Sequence, residues 1–221
     1  LISAESQCGN FHDALTFYHK MVEVNVCPSC YTIVTLLKAC TKMKDIVAGQ
    51  VIHSDIAEMG LEEDPYVVNG LIDMYAKCGS LCEAREVLHE MPDRGVVQWT
   101  TLMAGYIEHG PYPEALLCFE QMQMDNLVAD SFSFTCAVRA CGLLGCLEKG
   151  MGLHEELMLK GFEKDLFVGS SLVAMYAKSG SLIEAQEVFD QLSNRDIVVW
   201  NSLLTGYAEY GLLQDALRCL E

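Results

Sequence analysis

One stretch of this chain is written twice. Asp73-Met74-Tyr75-Ala76-Lys77-Cys78-Gly79-Ser80-Leu81-Cys82-Glu83-Ala84-Arg85-Glu86-Val87 is answered 101 residues later by Ala174-Met175-Tyr176-Ala177-Lys178-Ser179-Gly180-Ser181-Leu182-Ile183-Glu184-Ala185-Gln186-Glu187-Val188. The same shift carries Trp99-Thr100-Thr101-Leu102 onto Trp200-Asn201-Ser202-Leu203, and Leu37-Lys38-Ala39-Cys40 onto Val138-Arg139-Ala140-Cys141. Three segments obeying one shift define an internal repeat, which confines the chain to folds made by stacking similar units. Inside the first 101-residue block, a pattern of apolar helix, Gly or polar break and second helix starts at Cys30, Pro65 and Val96, in units of 35, 31 and 35 residues.

Each unit reads as a helical hairpin. In the second helix, Ala84, Val87, Leu88 and Met91 fall at i, i+3, i+4 and i+7, as do Ala185, Val188, Phe189 and Leu192, so each set forms one apolar face. Gly79 and Gly180 are placed to end first helices in a left-handed conformation. Ser80 with Glu83, and Ser181 with Glu184, have the spacing of capping boxes that start the second helices. Pro113 takes the helix-start role in a unit that lacks the box. A hairpin this short cannot cover its own apolar face, so the pattern predicts an all-α solenoid.

Composition narrows the function classes. Hydrophobic residues make up 51% of the 221, yet no run of eighteen apolar residues occurs, so no membrane span is expected. The first residues, Leu1-Ile2-Ser3-Ala4, lack an initiator methionine or a leader, and the chain is expected to be a piece of a longer protein. Eleven cysteines, an odd number set within helical patterns, argue against a disulfide framework and predict a reducing compartment with buried thiols. The net charge of −17 runs against the basic footprint of most nucleic-acid binders.

These residues resemble the pentatricopeptide repeat family, in particular the plant subclass that cycles P, L and S repeats, over the whole chain. Asp73 through Gly79 resembles the S motif, Leu36-Leu37-Lys38-Ala39-Cys40 the L motif, and Val97-Gln98-Trp99 through Gly105-Tyr106 the P motif. The alignment gives a partial P repeat at 1–29, L at 30–64, S at 65–95, P at 96–130, L at 131–165, S at 166–196 and a partial P repeat at 197–221. Tetratricopeptide repeats, with an even 34-residue period, do not fit units of 31 and 35. The resemblance implies a right-handed α-solenoid superhelix of stacked antiparallel helix-turn-helix repeats and a mitochondrial or chloroplast address. It also implies sequence-specific binding of single-stranded RNA, one base per repeat, as the specificity module of an organellar editing (cytidine-to-uridine) or processing factor. Other editing-factor proteins are its expected further partners.

In that family the fifth residue of a repeat and the last one read the base. Carried over, the pairs are Val34 with Asp64, Asn69 with Gly95, Thr100 with Asp130, Thr135 with Asp165, and Ser170 with Asp196; Asn201 and Ser29 have no partner within the chain. A hydroxyl with a carboxylate resembles the family's guanine pairing, which fits the N–H donors of that base and assigns guanine to Thr100 with Asp130 and to Ser170 with Asp196. Asn69 with Gly95 departs from the pattern, and weak discrimination is expected there. Position two holds Tyr31, Tyr66, Val97, Phe132, Phe167 and Val198, expected to sandwich bases, with packing between repeats as the alternative. First helices carry Lys38, Lys42, Lys77, Arg139 and Lys178 against Glu5, Asp73, Glu108 and Glu209, so the acid excess falls on second helices and loops. Lys42, Lys77 and Lys178, all at position thirteen, are the expected phosphate contacts.

Catalytic chemistry is not expected. Cys27-Pro28-Ser29-Cys30 has Cys-x-x-Cys spacing but no second half, and His154-Glu155-Glu156 matches half of a zinc deaminase signature whose Pro-Cys-x-x-Cys is missing. No phosphate loop and no nucleophile turn occur, so neither a metal, a cofactor nor a small-molecule substrate is expected. The alternative from another class is a protein-binding α-solenoid scaffold, in which the recurring Asp at last positions has no evident role.

Overall fold

A computed structural model of the chain describes residues 2–7, 9–24, 26–162 and 165–219, and no strand occurs among them. Residues 1, 220 and 221, the outer limits of the two partial repeats, lie outside the described residues. The chain divides into two units, Leu1–His109 and Gly110–Glu221. The first contains α1 (Ile2–Gln7), α2 (Phe11–Glu23), α3 (Cys30–Met43), α4 (Ile46–Met59), α5 (Pro65–Lys77), α6 (Leu81–Glu90) and α7 (Val96–His109). The second contains α8 (Tyr112–Met124), α9 (Ser131–Leu144), α10 (Leu147–Lys160), α11 (Leu166–Lys178), α12 (Leu182–Gln191), α13 (Ile197–Glu209) and α14 (Leu213–Arg218).

Both units follow one packing rule. In the first, α5 packs on α3, α4, α6 and α7; in the second, α11 packs on α9, α10, α12 and α13. Each of these two first helices is thus flanked by its own second helix and by two neighbouring first helices, the arrangement of an α-solenoid. The predicted apolar faces are buried: Ala84, Leu88, Ala185 and Phe189 are at most 2% exposed. Close approach of first helices needs glycine at two equivalent places. A Cβ added to Gly105 would lie 2.6 Å from the Cβ of Ala76, and one added to Gly206 would lie 2.7 Å from that of Ala177.

The left-handed turns form as expected, but the capping boxes do not. Gly79 and Gly180 have φ of +85° and +80°. Around Gly79, Gly79 N–H donates to Ala76 O at 3.0 Å and Ser80 N–H to Tyr75 O at 2.9 Å, the paired bonds of a Schellman turn. That second bond uses the donor a capping box would need. Ser80 and Ser181 are the N-caps of α6 and α12, yet neither side chain bonds the helix, and their ψ of 66° departs from the extended values of the capping Ser29 and Asp130. Pro113 does lie in the first turn of α8.

The cysteines divide. Cys40, Cys118, Cys136 and Cys141 are buried, whereas Cys27, Cys82 and Cys146 are exposed, so the expectation of uniformly buried thiols fails for the last three. They sit in the loop before α3, in the first turn of α6 and just before α10, where the chain runs along the surface. Burial pushes the Cys40 thiol up to about 12, and Cys136 and Cys141 up to about 11, so these three act as protonated packing groups.

A histidine and a tyrosine join second helix to first at equivalent junctions. His53 Nδ1 of α4 shares a 2.9 Å hydrogen bond with the Tyr75 hydroxyl of α5, and His154 Nδ1 of α10 does the same with Tyr176 of α11. His154 therefore has a structural partner in place of the deaminase role its sequence context suggests. Burial holds both imidazoles below their ordinary pKa, against the opposing pull of Glu90 and Glu62 at His53 and of Glu155 at His154.

Two outcomes are expected. Gly105→Ala should lower unfolding stability in a urea titration by about 1–3 kcal/mol, the scale of a forced overpacking. The depressed folded-state pKa of the two histidines contributes stability that is present above the unfolded value of about 6.5 and is lost as pH falls below it. The decline in stability between pH 7 and 5 should therefore be shallower when both histidines are replaced by Gln.

Candidate nucleic-acid interface

The last residue of each repeat turns out to be a helix cap. Asp64, Asp165 and Asp196 accept through Oδ1 from the backbone N–H groups of the second and third residues of α5, α11 and α13, and Asp130 Oδ1 accepts from Ser133 N at 2.8 Å in α9. Ser29 caps α3 in the same way. Such caps satisfy N–H groups that no helical carbonyl can reach, which gives the recurring aspartate a structural role. Its recurrence alone thus no longer separates an RNA reader from a protein scaffold. For Asp165 and Asp196 the capping bonds all fall on Oδ1, which leaves Oδ2 as a second acceptor.

Gly95 is the exception. Its N–H donates to Oε1 of the buried Gln98 at 3.1 Å, and a Cβ on Gly95 would stand 2.9 Å from that oxygen. The Gln98 carboxamide therefore occupies the space where other repeats carry the last-position side chain.

Position two lies on the open side of every first helix. Tyr31, Tyr66, Val97, Phe132, Phe167 and Val198 are 66, 80, 58, 55, 74 and 57% exposed. That exposure excludes the alternative in which they pack between repeats. Position five follows three residues later on the same helical face, and its exposure varies. Asn201 is exposed; Val34, Asn69 and Ser170 are half-buried; Thr100 and Thr135 are buried. The hydroxyls are engaged locally: Thr100 Oγ1 donates within its own first turn to Val96 O and Val97 O, Thr135 Oγ1 to Ser131 O, and Ser170 Oγ to Phe167 O at 3.0 Å. With its proton committed, such a hydroxyl offers a ligand only lone pairs. Thr100 belongs to the first unit and Asp130 to the second, whereas Ser170 and Asp196 share the second.

The three expected phosphate lysines are exposed. They stand eight residues beyond position five, about 12 Å along the helix. Lys77 is paired with Asp73 at 2.8 Å. In the first unit, Lys42 and Lys77 share a cavity of about 440 Å³ with Lys38, Lys44, Thr41 and Asp73, four ammonium groups against one carboxylate. Lys44 escaped the sequence reading because it falls just outside the helix, in a left-handed C-cap, and donates to Lys77 O. In the second unit, Lys178, Val198 and Asn201 line one cavity of about 310 Å³, together with Ser202, Thr205 and Glu209. A lysine, a position-two apolar group and a position-five amide thus converge on one space.

The model of the PPR repeat matches residues 1–26, 66–96, 99–127, 132–162, 170–197 and 198–221. The chain belongs to the pentatricopeptide repeat family. Residues 30–64, read as an L repeat, lie outside the matched segments and form the hairpin of α3 and α4. The chain is 35% identical over 97% of its length to the Arabidopsis thaliana pentatricopeptide repeat-containing protein At1g15510, chloroplastic, of which it covers 25%. It is 34% identical over its full length to At2g03880, mitochondrial, from the same plant, of which it covers 34%. It therefore spans about a quarter to a third of these relatives. Among solved structures, the pentatricopeptide repeat protein PPR10 in complex with an 18-nt psaJ RNA element superposes with a TM-score of 0.82 at 23% identity, over 99% of this chain and 33% of that one. The α-solenoid fold of the family is thereby established.

Since Asp196 caps α13, Asp196→Ala should cost about 1 kcal/mol of stability, whereas Asp196→Asn, an equally good cap, should leave it nearly unchanged. Paired urea titrations of the two variants check this.

Proposed function

We propose that this chain binds single-stranded RNA sequence-specifically, one base per repeat, as the specificity module of an organellar editing or processing factor of the subclass that cycles P, L and S repeats, and that it performs no catalysis itself. The observation that carries the proposal is the cavity of the second unit, where Lys178, Val198 and Asn201 meet. A nucleotide presents three chemically distinct parts, and each has a complement there. A base face packs on the apolar side chain, a base edge hydrogen-bonds the amide, and the phosphate pairs with the ammonium group. The RNA named in the PPR10 complex supports the ligand class, and the chloroplastic and mitochondrial names of the relatives support an organellar address.

Base choice follows from acceptor geometry. Ser170, its hydroxyl proton spent on Phe167 O, and Asp196, with Oδ2 outside the capping bonds, together offer two acceptors. Guanine is the base whose pairing edge carries two adjacent N–H donors, at N1 and N2. The other position-five residues, Val34, Asn69, Thr135 and Asn201, face the remaining bases, with weak discrimination at Asn69, and with Val34 and Thr135, in the L repeats, following the family's code poorly. Tyr31, Tyr66, Val97, Phe132 and Phe167 supply stacking surfaces, and Lys42 and Lys77 supply phosphate contacts.

A net charge of −17 favours a second reading, a scaffold for protein partners, because it offers RNA little long-range attraction. The two readings separate when the chain selects from a randomised pool of short single-stranded RNAs at two salt concentrations, with duplex RNA and single-stranded DNA as controls. The expected result is enrichment of guanine at the position read by Ser170 and Asp196. Three phosphate contacts correspond to a log–log salt slope of about −2. Asp196→Asn, which pairs a donor with an acceptor, should move that position from guanine to adenine. Absence of selection for any RNA, even at low salt, means either that a longer repeat array, as in the relatives, is needed or that the chain is a protein scaffold.

A further inference from the structure

In a chain with only 14 basic side chains, four lysines line the 440 Å³ cavity of the first unit. Lys38 and Lys42 stand one turn apart on α3, Lys44 follows the end of that helix, and Lys77 closes α5. All four are exposed. Asp73 pairs with Lys77 at 2.8 Å, and Asp45 is engaged as the cap of α4, 3.0 Å from Ala48 N. The Lys44 ammonium donates to Lys77 O, which holds it at the cavity.

The repeat supplies an internal control. The residues 101 positions on are Arg139, Leu143, Gly145 and Lys178, with Ala174 in place of Asp73. There α9 packs on α11 as α3 packs on α5, so the fold requires neither Lys42 nor Lys44. Both are placed at a cost to the free chain. Lys38 and Lys42 are like charges at i and i+4, which repel along a helix. Lys44 holds a φ of +55°, a left-handed conformation that its counterpart Gly145 adopts at +69° with no Cβ to strain. Strain and repulsion gathered at one cavity point to a ligand.

We infer that this cavity binds a free oligophosphate chain, that of inorganic triphosphate or of a nucleotide. Four ammonium groups less one carboxylate leave a surplus of three positive charges. The C-terminal ends of α3 and α5 lower it by about half a charge each. One phosphodiester carries a single negative charge and leaves most of that surplus unneutralised, whereas an oligophosphate gathers several charges among neighbouring lysines. Lysine binds phosphate as a point charge, without fixing its orientation. Among the described residues no aromatic, apolar or amide side chain lines the cavity, so the phosphate chain is recognised and the nucleoside is not. Lys42 and Lys77 are phosphate contacts of the RNA reading above; Lys38 and Lys44 lie outside it, and the inference stands without that reading.

The experiment is a calorimetric titration at low salt, without divalent cations, of inorganic triphosphate, a nucleoside triphosphate, and a trinucleotide lacking terminal phosphates. The unaltered chain is compared with Lys42→Leu/Lys44→Gly, which installs the second unit's residues, and with Lys149→Gln/Lys160→Gln, which removes the same charge from the second unit. Both triphosphates should bind the unaltered chain with similar affinity, at least about ten-fold tighter than the trinucleotide. Lys42→Leu/Lys44→Gly should weaken triphosphate binding about ten-fold or more, the scale of two lost charge-assisted contacts, and the second-unit variant by less than about two-fold. Lys44→Gly alone, which relaxes the backbone and raises the unfolding midpoint, should weaken it about three-fold. No binding of either triphosphate, or equal losses in the two double variants, overturns the inference. A trinucleotide that binds as tightly as triphosphate also overturns it, assigns the cavity to nucleic-acid backbone and leaves the RNA reading standing.

Discussion

Every hairpin of this chain leaves an apolar face that only the next hairpin can cover. The burial that stabilises one hairpin is therefore supplied by its neighbour, and α5 and α11 are each wedged between two other first helices. The glycines at 105 and 206 show how tight this wedging is: the helices meet at a distance that leaves no room for one further carbon. Such dependence keeps neighbouring first helices within each unit in register.

Much of the fold was legible because it is encoded locally. The 101-residue echo, the i, i+3, i+4, i+7 faces and the left-handed glycines each depend on a few neighbouring residues, and the structure has them all. The capping boxes failed for a reason that spacing does not contain. The Ser80 N–H was already taken by the Schellman turn that closes α5, so two local motifs competed for one donor. The exposed cysteines failed similarly, since helical context says little about which face of a surface turn meets water.

The candidate interface was only partly legible. Position-two side chains are expected from the sequence to sandwich bases, with packing between repeats as the alternative, and their exposure speaks against the packing. Lys44 carried no signal in the repeat pattern because it follows a helix end. The aspartates pointed the opposite way: their recurrence read as recognition, and the structure gives them a part in holding helix starts. Electrostatics follows the same division. The −17 charge is a property of the whole surface, whereas the first-unit cavity gathers four lysines in one place, so local potential and net charge differ in sign.

Under the function proposed above, the last-position aspartate both caps a helix and faces the ligand, and this double duty has an evolutionary consequence. Side chains that cap helices well form a short set, Asp, Asn, Ser, Thr and Gly. A lineage that exchanges one of these for another changes what faces the ligand while the helix start stays satisfied, so binding preference can drift without a passage through unfolded intermediates. Any substitution outside the set loosens the next hairpin as well. The scaffold thus filters which recognition letters can be written at all, and Gly95 reads as a blank that the filter permits.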